Sequence, residues 1–255
     1  MANPILDNGQ GANQSIYEVS TVEKHAYGQR ARFEDGRVFY YTRHQGSAAL
    51  SIGELMVAPE LVGNHQNMAT ATNVLAVSVL DIGNITLGAT AATANQYRFG
   101  YLAVTDGGGQ GQYFRIRSHS AVASAGVMSD LVVFDGPHTA SDAGTTVSLH
   151  TSLYDTPQQS NTDQADVLVG VPVITIPAGN TTTQFGWLQT WGPCPVLFDE
   201  AVAAFGQALV PGTSTAGSVE EDDTATTVSQ EPIVGYNIAA GVDTEFQLVD
   251  LRIRP

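Results

Sequence analysis

Apolar residues in this chain come in short runs, each cut off by Gly, Pro, Asn or Asp. That pattern predicts strands joined by tight turns. Arg30-Ala-Arg-Phe-Glu and Arg37-Val-Phe-Tyr-Tyr-Thr-Arg flank Asp35-Gly36, the strongest hairpin signal in the sequence. A type I′ turn there needs positive φ at both central residues, which Asp tolerates and Gly supplies. Val74 to Leu80 and Ile85-Thr-Leu flank Gly83-Asn84, a second hairpin candidate. Arg98 to Val104 and Gln112-Tyr-Phe-Arg-Ile-Arg flank Asp106-Gly-Gly-Gly-Gln-Gly. Leu131-Val-Val-Phe, Thr145-Thr-Val-Ser-Leu and Val167 to Ile176 continue the series. Ala48 to Pro59 has room for one helical turn, because Gly53 and Pro59 forbid more. About a dozen short strands and no helix of ordinary length predict an all-β sandwich or barrel rather than βαβ units.

The same pattern suggests the organisation. Met1 to Gln14 is polar, and a flexible arm is expected there. Boundaries near Gly46 and Gly179 separate the arm and hairpin (1–46), a central β domain (47–178) and a C-terminal small β-barrel module (179–255). The polar segment Thr156 to Asp166 reads as a loop before the last β region.

Composition narrows the partners. Charged residues make up 14% of the 255 and the net charge is −15, with one lysine, Lys24, and nine arginines. Between Arg117 and Arg252 there is no Lys or Arg. Nucleic-acid binding rests on Lys/Arg contacts to phosphate, so DNA or RNA is excluded as the main partner of the C-terminal half. Membrane-surface binding is excluded for the same reason. Met1 to Asn8 has neither a basic region nor an apolar run, so no signal peptide is expected and synthesis in the cytoplasm is. No apolar stretch reaches the roughly twenty residues that span a bilayer. The single cysteine, Cys194, lies between two prolines with no metal-ligand spacing around it, and reads as a packed residue.

No constellation carries catalysis. The glycine run after Asp106 lacks a following Lys-Ser/Thr and a helix, so it reads as a β connection rather than a phosphate loop. Gly212-Thr-Ser-Thr-Ala-Gly misses the nucleophile-elbow register and reads as a Ser/Thr turn. Glu220-Glu-Asp-Asp lacks the alternating ligands of a calcium loop. The six histidines are scattered. No catalytic, cofactor or metal residue is assigned.

What remains points to protein contacts. Arg30, Arg32, Arg37 and Arg43 form a local basic patch around the first hairpin, unless they pair across strands with Glu34 and Asp35. Trp187 and Trp191 are four apart, which on an uninterrupted strand puts both on one face with Gln189 between them. Aromatics so placed fill a core, anchor a subunit interface or stack on sugars.

The segment Phe185 to Asp199, followed by Ala208-Leu-Val-Pro-Gly and Pro232-Ile-Val-Gly-Tyr-Asn-Ile-Ala-Ala-Gly, resembles the small β-barrel modules of tailed-phage virion proteins, especially capsid decoration and cement proteins. Further stretches similar to phage virion structural proteins are Lys24-His-Ala-Tyr-Gly-Gln-Arg, Glu34-Asp-Gly-Arg-Val-Phe, Ala89-Thr-Ala-Ala-Thr-Ala-Asn-Gln-Tyr, Gly100-Tyr-Leu-Ala-Val-Thr-Asp-Gly and Gly186-Trp-Leu-Gln-Thr-Trp-Gly-Pro. The resemblance implies a non-enzymatic homotrimer on the outer capsid surface, bound to the major capsid protein. A net charge of −15 favours the outer face, since the inner wall meets packaged DNA. The alternative is a tail or fibre module that binds glycan through Trp187 and Trp191.

Overall fold

A computed structural model describes residues 4–7, 9–70, 74–162, 166–202, 205–222 and 231–255. It is an all-β protein whose antiparallel sheets include a curled half-barrel. In chain order the strands are β1 (Ile5–Leu6), β2 (Arg30–Arg32), β3 (Val38–His44), β4 (Met56–Val57), β5 (Met68–Ala69), β6 (Asp81–Ile82), β7 (Ile85–Thr86), β8 (Tyr101–Asp106), β9 (Tyr113–Ser118) and β10 (Val127–Met128). They continue with β11 (Leu131–Val133), β12 (Thr146–His150), β13 (Gln158–Gln159), β14 (Leu168–Pro172), β15 (Gln184–Leu197), β16 (Ala208–Pro211), β17 (Val219–Glu221), β18 (Gly235–Asn237) and β19 (Phe246–Arg252). One 3-10 turn, Gly63–His65, is the only helical element among the described residues. None stands between Ala48 and Pro59, where one turn of helix has room; the short strand β4 lies there instead.

The chain divides into two compact units. The first joins Met1–Pro59 to Leu153–Pro255, and the second is Glu60–Ser152. The boundaries expected near Gly46 and Gly179 both lie inside the first unit, because β3 pairs with β15 along its whole length. Sequence distance hides that pairing. The segments leaving and re-entering the first unit are themselves neighbours: β4 and β13 run antiparallel, with Val57 opposite Gln158 and Met56 opposite Gln159.

In the first unit the sheet order is β1-β2-β3-β15-β19-β18-β16-β17. Two apolar clusters fill it. Phe39, Tyr41, Phe185 and Trp187 centre one, and Cys194, Val196, Leu209, Val249 and Leu251 the other. The flexible arm expected over Met1 to Gln14 is corrected here. Residues 1–3 and 8 lie outside the described residues, but β1 pairs with β2, and Leu6 and Ala12 are buried in the first cluster. Gln14 is fully buried. Its amide donates to the carbonyls of Glu18 and Phe185, at 2.8 and 3.0 Å, and its oxygen accepts from the Tyr41 hydroxyl at 2.8 Å. A few well-placed apolar residues and one satisfied amide tie down a segment whose average polarity reads as disorder.

The first hairpin forms, with a different turn. Only Gly36 has positive φ (+88°), and the Gly36 N–H donates to the Phe33 carbonyl at 3.1 Å. The loop is therefore three residues, Glu34 to Gly36, with glycine in the left-handed position rather than a two-residue type I′ turn.

The second unit carries a six-stranded sheet, β5-β12-β8-β9-β11-β6, and the pair β10-β7. The glycine run joins β8 to β9 as a tight antiparallel connection, as its sequence implies. Gly83-Asn84 does not close a hairpin: β6 pairs with β11 and β7 with β10, so this corner carries the chain from one sheet to another. No strand forms over Val74 to Leu80, where Val77, Val79 and Leu80 are exposed.

Candidate functional site: the outward face of the long strand

β15 is fourteen residues long and changes neighbours along its length. Its first half pairs with β3 and its second half with β19. The register to β3 slips by one residue between Gln189 and Trp191, a β-bulge. Gly192 follows at φ +83°, a conformation that favours glycine. The buried Gln189 amide spans the bulge, donating to the carbonyls of Trp191, Gly192 and Pro193 at 3.1, 3.2 and 2.9 Å. A one-residue insertion reverses which face every later side chain takes. Trp187 accordingly lies fully buried, while Trp191 is half-buried and turned outward.

Past the bulge, Trp191, Pro193, Pro195 and Leu197 stand opposite Arg252, Asp250, Leu248 and Phe246 of β19. Pro193 and Pro195 are exposed, and Leu248 and Phe246 are 41% and 50% exposed. The two prolines lie where β15 no longer pairs with β3, the place in a sheet where a missing N–H costs least. Cys194 points the other way, 1% exposed, and burial pushes its thiol up to about 12. It is a packed side chain rather than a thiolate.

Two cavities open along this face. One, of about 580 Å³, is lined by Arg30, Arg32, Phe33, Val38, Trp191 and Pro255. The other, of about 360 Å³, is mostly apolar, with Tyr17, Ile52, Pro172, Pro193, Pro195 and Phe246 in its walls and Arg37 at its margin.

The residues singled out in the sequence separate into two groups. Arg30, Arg32 and Trp191 gather around the larger cavity, and Arg37 borders the smaller. Arg43 and Trp187 are corrected: neither presents a surface. Arg43 donates twice to Asp155, at 2.7 and 2.5 Å, with side chains only 12% and 5% exposed, and stacks over Tyr27. Burial opposes the Arg43 charge, but the Asp155 hydrogen bonds and charge outweigh it and hold the guanidinium above its ordinary value. Trp187 packs edge-on against Tyr41 at 4.9 Å. Only Trp191 of the two tryptophans is left to meet a ligand, and the Arg252 guanidinium lies 4.4 Å from its ring centre.

Nor is the basic patch a free positive field. Arg30 pairs with Asp7 at 2.9 Å and donates to the Pro255 carbonyl at 3.0 Å. Arg37 pairs with Asp35 at 2.8 Å. Slight burial works against the Asp35 carboxylate, yet the Arg37 backbone and side chain hold it below its ordinary value. Arg32 is exposed and forms no ion pair among the described residues. Of these pairings only Arg37 with Asp35 is within the hairpin; the other partners, Asp7 and Asp155, come from distant segments.

The remaining motifs are occupied locally. Asp199 accepts the N–H groups of Ser214 and Thr215 at 2.7 and 3.1 Å, which builds the Ser/Thr turn. Glu220 accepts from Thr213, and Glu221 from Gln207, so these carboxylates serve separate turns; Asp223 lies outside the described residues. Among the described residues no group of three or more His, Cys, Asp or Glu side chains is placed to hold a metal ion.

The candidate feature that the sequence did not reveal is the apolar row itself. Its signal was Pro193 and Pro195 alternating with Cys194 and Val196, but the bulge had to be known to assign the faces. No protein-family model, curated protein or solved structure matches the chain.

Proposed function

We propose that this protein is a structural component of a phage virion, a decoration or cement protein that binds the outer face of the capsid shell and bridges major capsid subunits. The observation that carries the reading is the exposed row Pro193, Pro195, Leu248 and Phe246, flanked by two cavities, in a chain with only 14% charged residues. Such a face gains from burial at about 25 cal/mol per Å² of apolar area, less the cost of association. Beside this face Arg30, Arg37 and Arg252 are already paired within the chain, so ion pairs to a partner are the smaller contribution. A net charge of −15 suits the outside of a DNA-filled shell. The resemblance of Phe185 to Asp199 and Pro232 to Gly241 to decoration modules supports the same assignment.

The test is a salt series on purified particles, counting bound copies and then measuring the temperature at which shells open. Many copies per particle, retained at raised salt, with opening temperature falling once they are stripped, is the expected result. Release at modest salt would make the interface electrostatic. A handful of copies at one vertex would favour a tail component instead.

A further inference from the structure

The second unit holds a surface of different chemistry. Its six carboxylates and three arginines contribute −3 to the net charge of −15, leaving −12 to the first unit. All three arginines, Arg98, Arg115 and Arg117, belong to strand β9 or the turn before β8. Arg115 lies 5.0 Å from the ring centre of Phe99 and 5.4 Å from that of Phe134, and those two rings stack 6.2 Å apart. Arg98 lies 4.3 Å from the Phe99 ring. Next to this cluster, Tyr101 stands opposite Arg115 and meets Tyr113 edge-on at 5.9 Å. Tyr101, Tyr113 and Phe134 are 43%, 70% and 42% exposed.

Two features mark this cluster as built. Phe99 holds φ +59°, a conformation that bulky residues avoid and that persists only where surroundings impose it. Arg115 and Arg117 form no ion pair among the described residues, in a chain with 25 carboxylates. Stacking on two rings fixes the Arg115 plane while leaving its N–H edge for an acceptor. Exposed tyrosine, phenylalanine and arginine on one sheet face are the residue types that anchor protein interfaces.

We infer that this arginine–aromatic face is a self-association surface, and that its occupant is the first unit of a second copy of the chain. The chain supplies the complement. Val242, Asp243, Glu245 and Phe246 lie in an exposed run at the entry to β19, with two carboxylates between apolar ends, and neither carboxylate has an ion pair among the described residues. Arginines then meet Asp243 and Glu245, while Phe99, Phe134 and the tyrosines cover Val242. The contact is heterologous, so it closes into a ring or propagates along a lattice. The inference goes beyond the proposed function, which concerns attachment to the capsid, and does not rest on it.

The experiment compares the full-length wild type with Arg115→Glu/Arg117→Glu and with Asp243→Lys/Glu245→Lys by sedimentation across a concentration and salt series. Arg117, Asp243 and Glu245 are exposed and Arg115 is half-buried, and circular dichroism checks that each variant is folded. The wild type should self-associate, less strongly at raised salt, and each double variant should weaken this by at least about tenfold. Mixing the two variants should restore association, since each offers the face the other lacks. A wild type that stays monomeric at the highest soluble concentration overturns the inference, as does association that neither variant weakens or that mixing does not restore. Particle binding is scored separately: self-association without attachment to capsids leaves this interface standing and removes the decoration reading.

Discussion

At the scale of single residues, the buried polar groups dominate what can be tested. Asp155 and Arg43 hold each other in a nearly dry pair. Removing one partner leaves an uncompensated buried charge, so Asp155→Ala should cost about 3–5 kcal/mol in urea unfolding. The exposed Arg252–Asp250 pair should cost no more than about 1 kcal/mol when broken. His119 offers a pH test. Its Nε2 accepts the Tyr97 N–H at 3.0 Å, so Nδ1 carries the proton that goes to the Ser120 carbonyl at 2.8 Å. Burial lowers its affinity for a second proton, as it does for His44. A base with depressed pKa is neutral when folded and gains a proton on unfolding. Stability is thus fully present above the ordinary histidine value of about 6.5 and is lost as pH falls from there through the folded value. Calorimetry at pH 7 and pH 5 should show a lower melting temperature at pH 5, and His119→Gln should narrow the difference. None of these roles is legible in the sequence. The six histidines look scattered there, because Tyr97 and His119 come together only through the fold.

Elements were more legible than their faces. The strand-rich reading holds because short apolar runs and turn residues are local properties, and the Asp35-Gly36 and Asp106 to Gly111 connections follow from them. What failed was parity. Counting by twos places Trp187 and Trp191 on one face, and the bulge at Thr190 places them on opposite sides. Gln189→Leu should expose that dependence: it strips three carbonyls of their donor and should cost about 1–3 kcal/mol, with near-ultraviolet circular dichroism reporting altered tryptophan packing. The N-terminal segment failed for another reason. Average polarity predicts disorder, yet Leu6, Ala12 and Gln14 are individually placed to fill gaps beside Tyr41 and Phe185. Deleting residues 1–14 should therefore lower the melting temperature of the free protein, whereas removal of a loose arm would leave it unchanged.

At the scale of the whole molecule, the −15 charge is unevenly shared, and the first unit is assembled from both ends of the chain. It therefore cannot be complete until the last strand, β19, has been made, since β19 pairs with the second half of β15. The pairing of β4 with β13 has a practical consequence. The chain departs from the first unit and returns to it along two neighbouring strands, about 4.8 Å apart. Everything between is, topologically, the loop of a hairpin, and loop-closure entropy grows only slowly with loop length. Joining Pro59 to Leu153 through a short glycine-containing turn should leave a shortened protein that still melts cooperatively, as followed by Trp187 fluorescence. By the same geometry, Glu60–Ser152 can be exchanged for an unrelated domain whose ends lie close together, which makes this junction a grafting port for displaying foreign proteins.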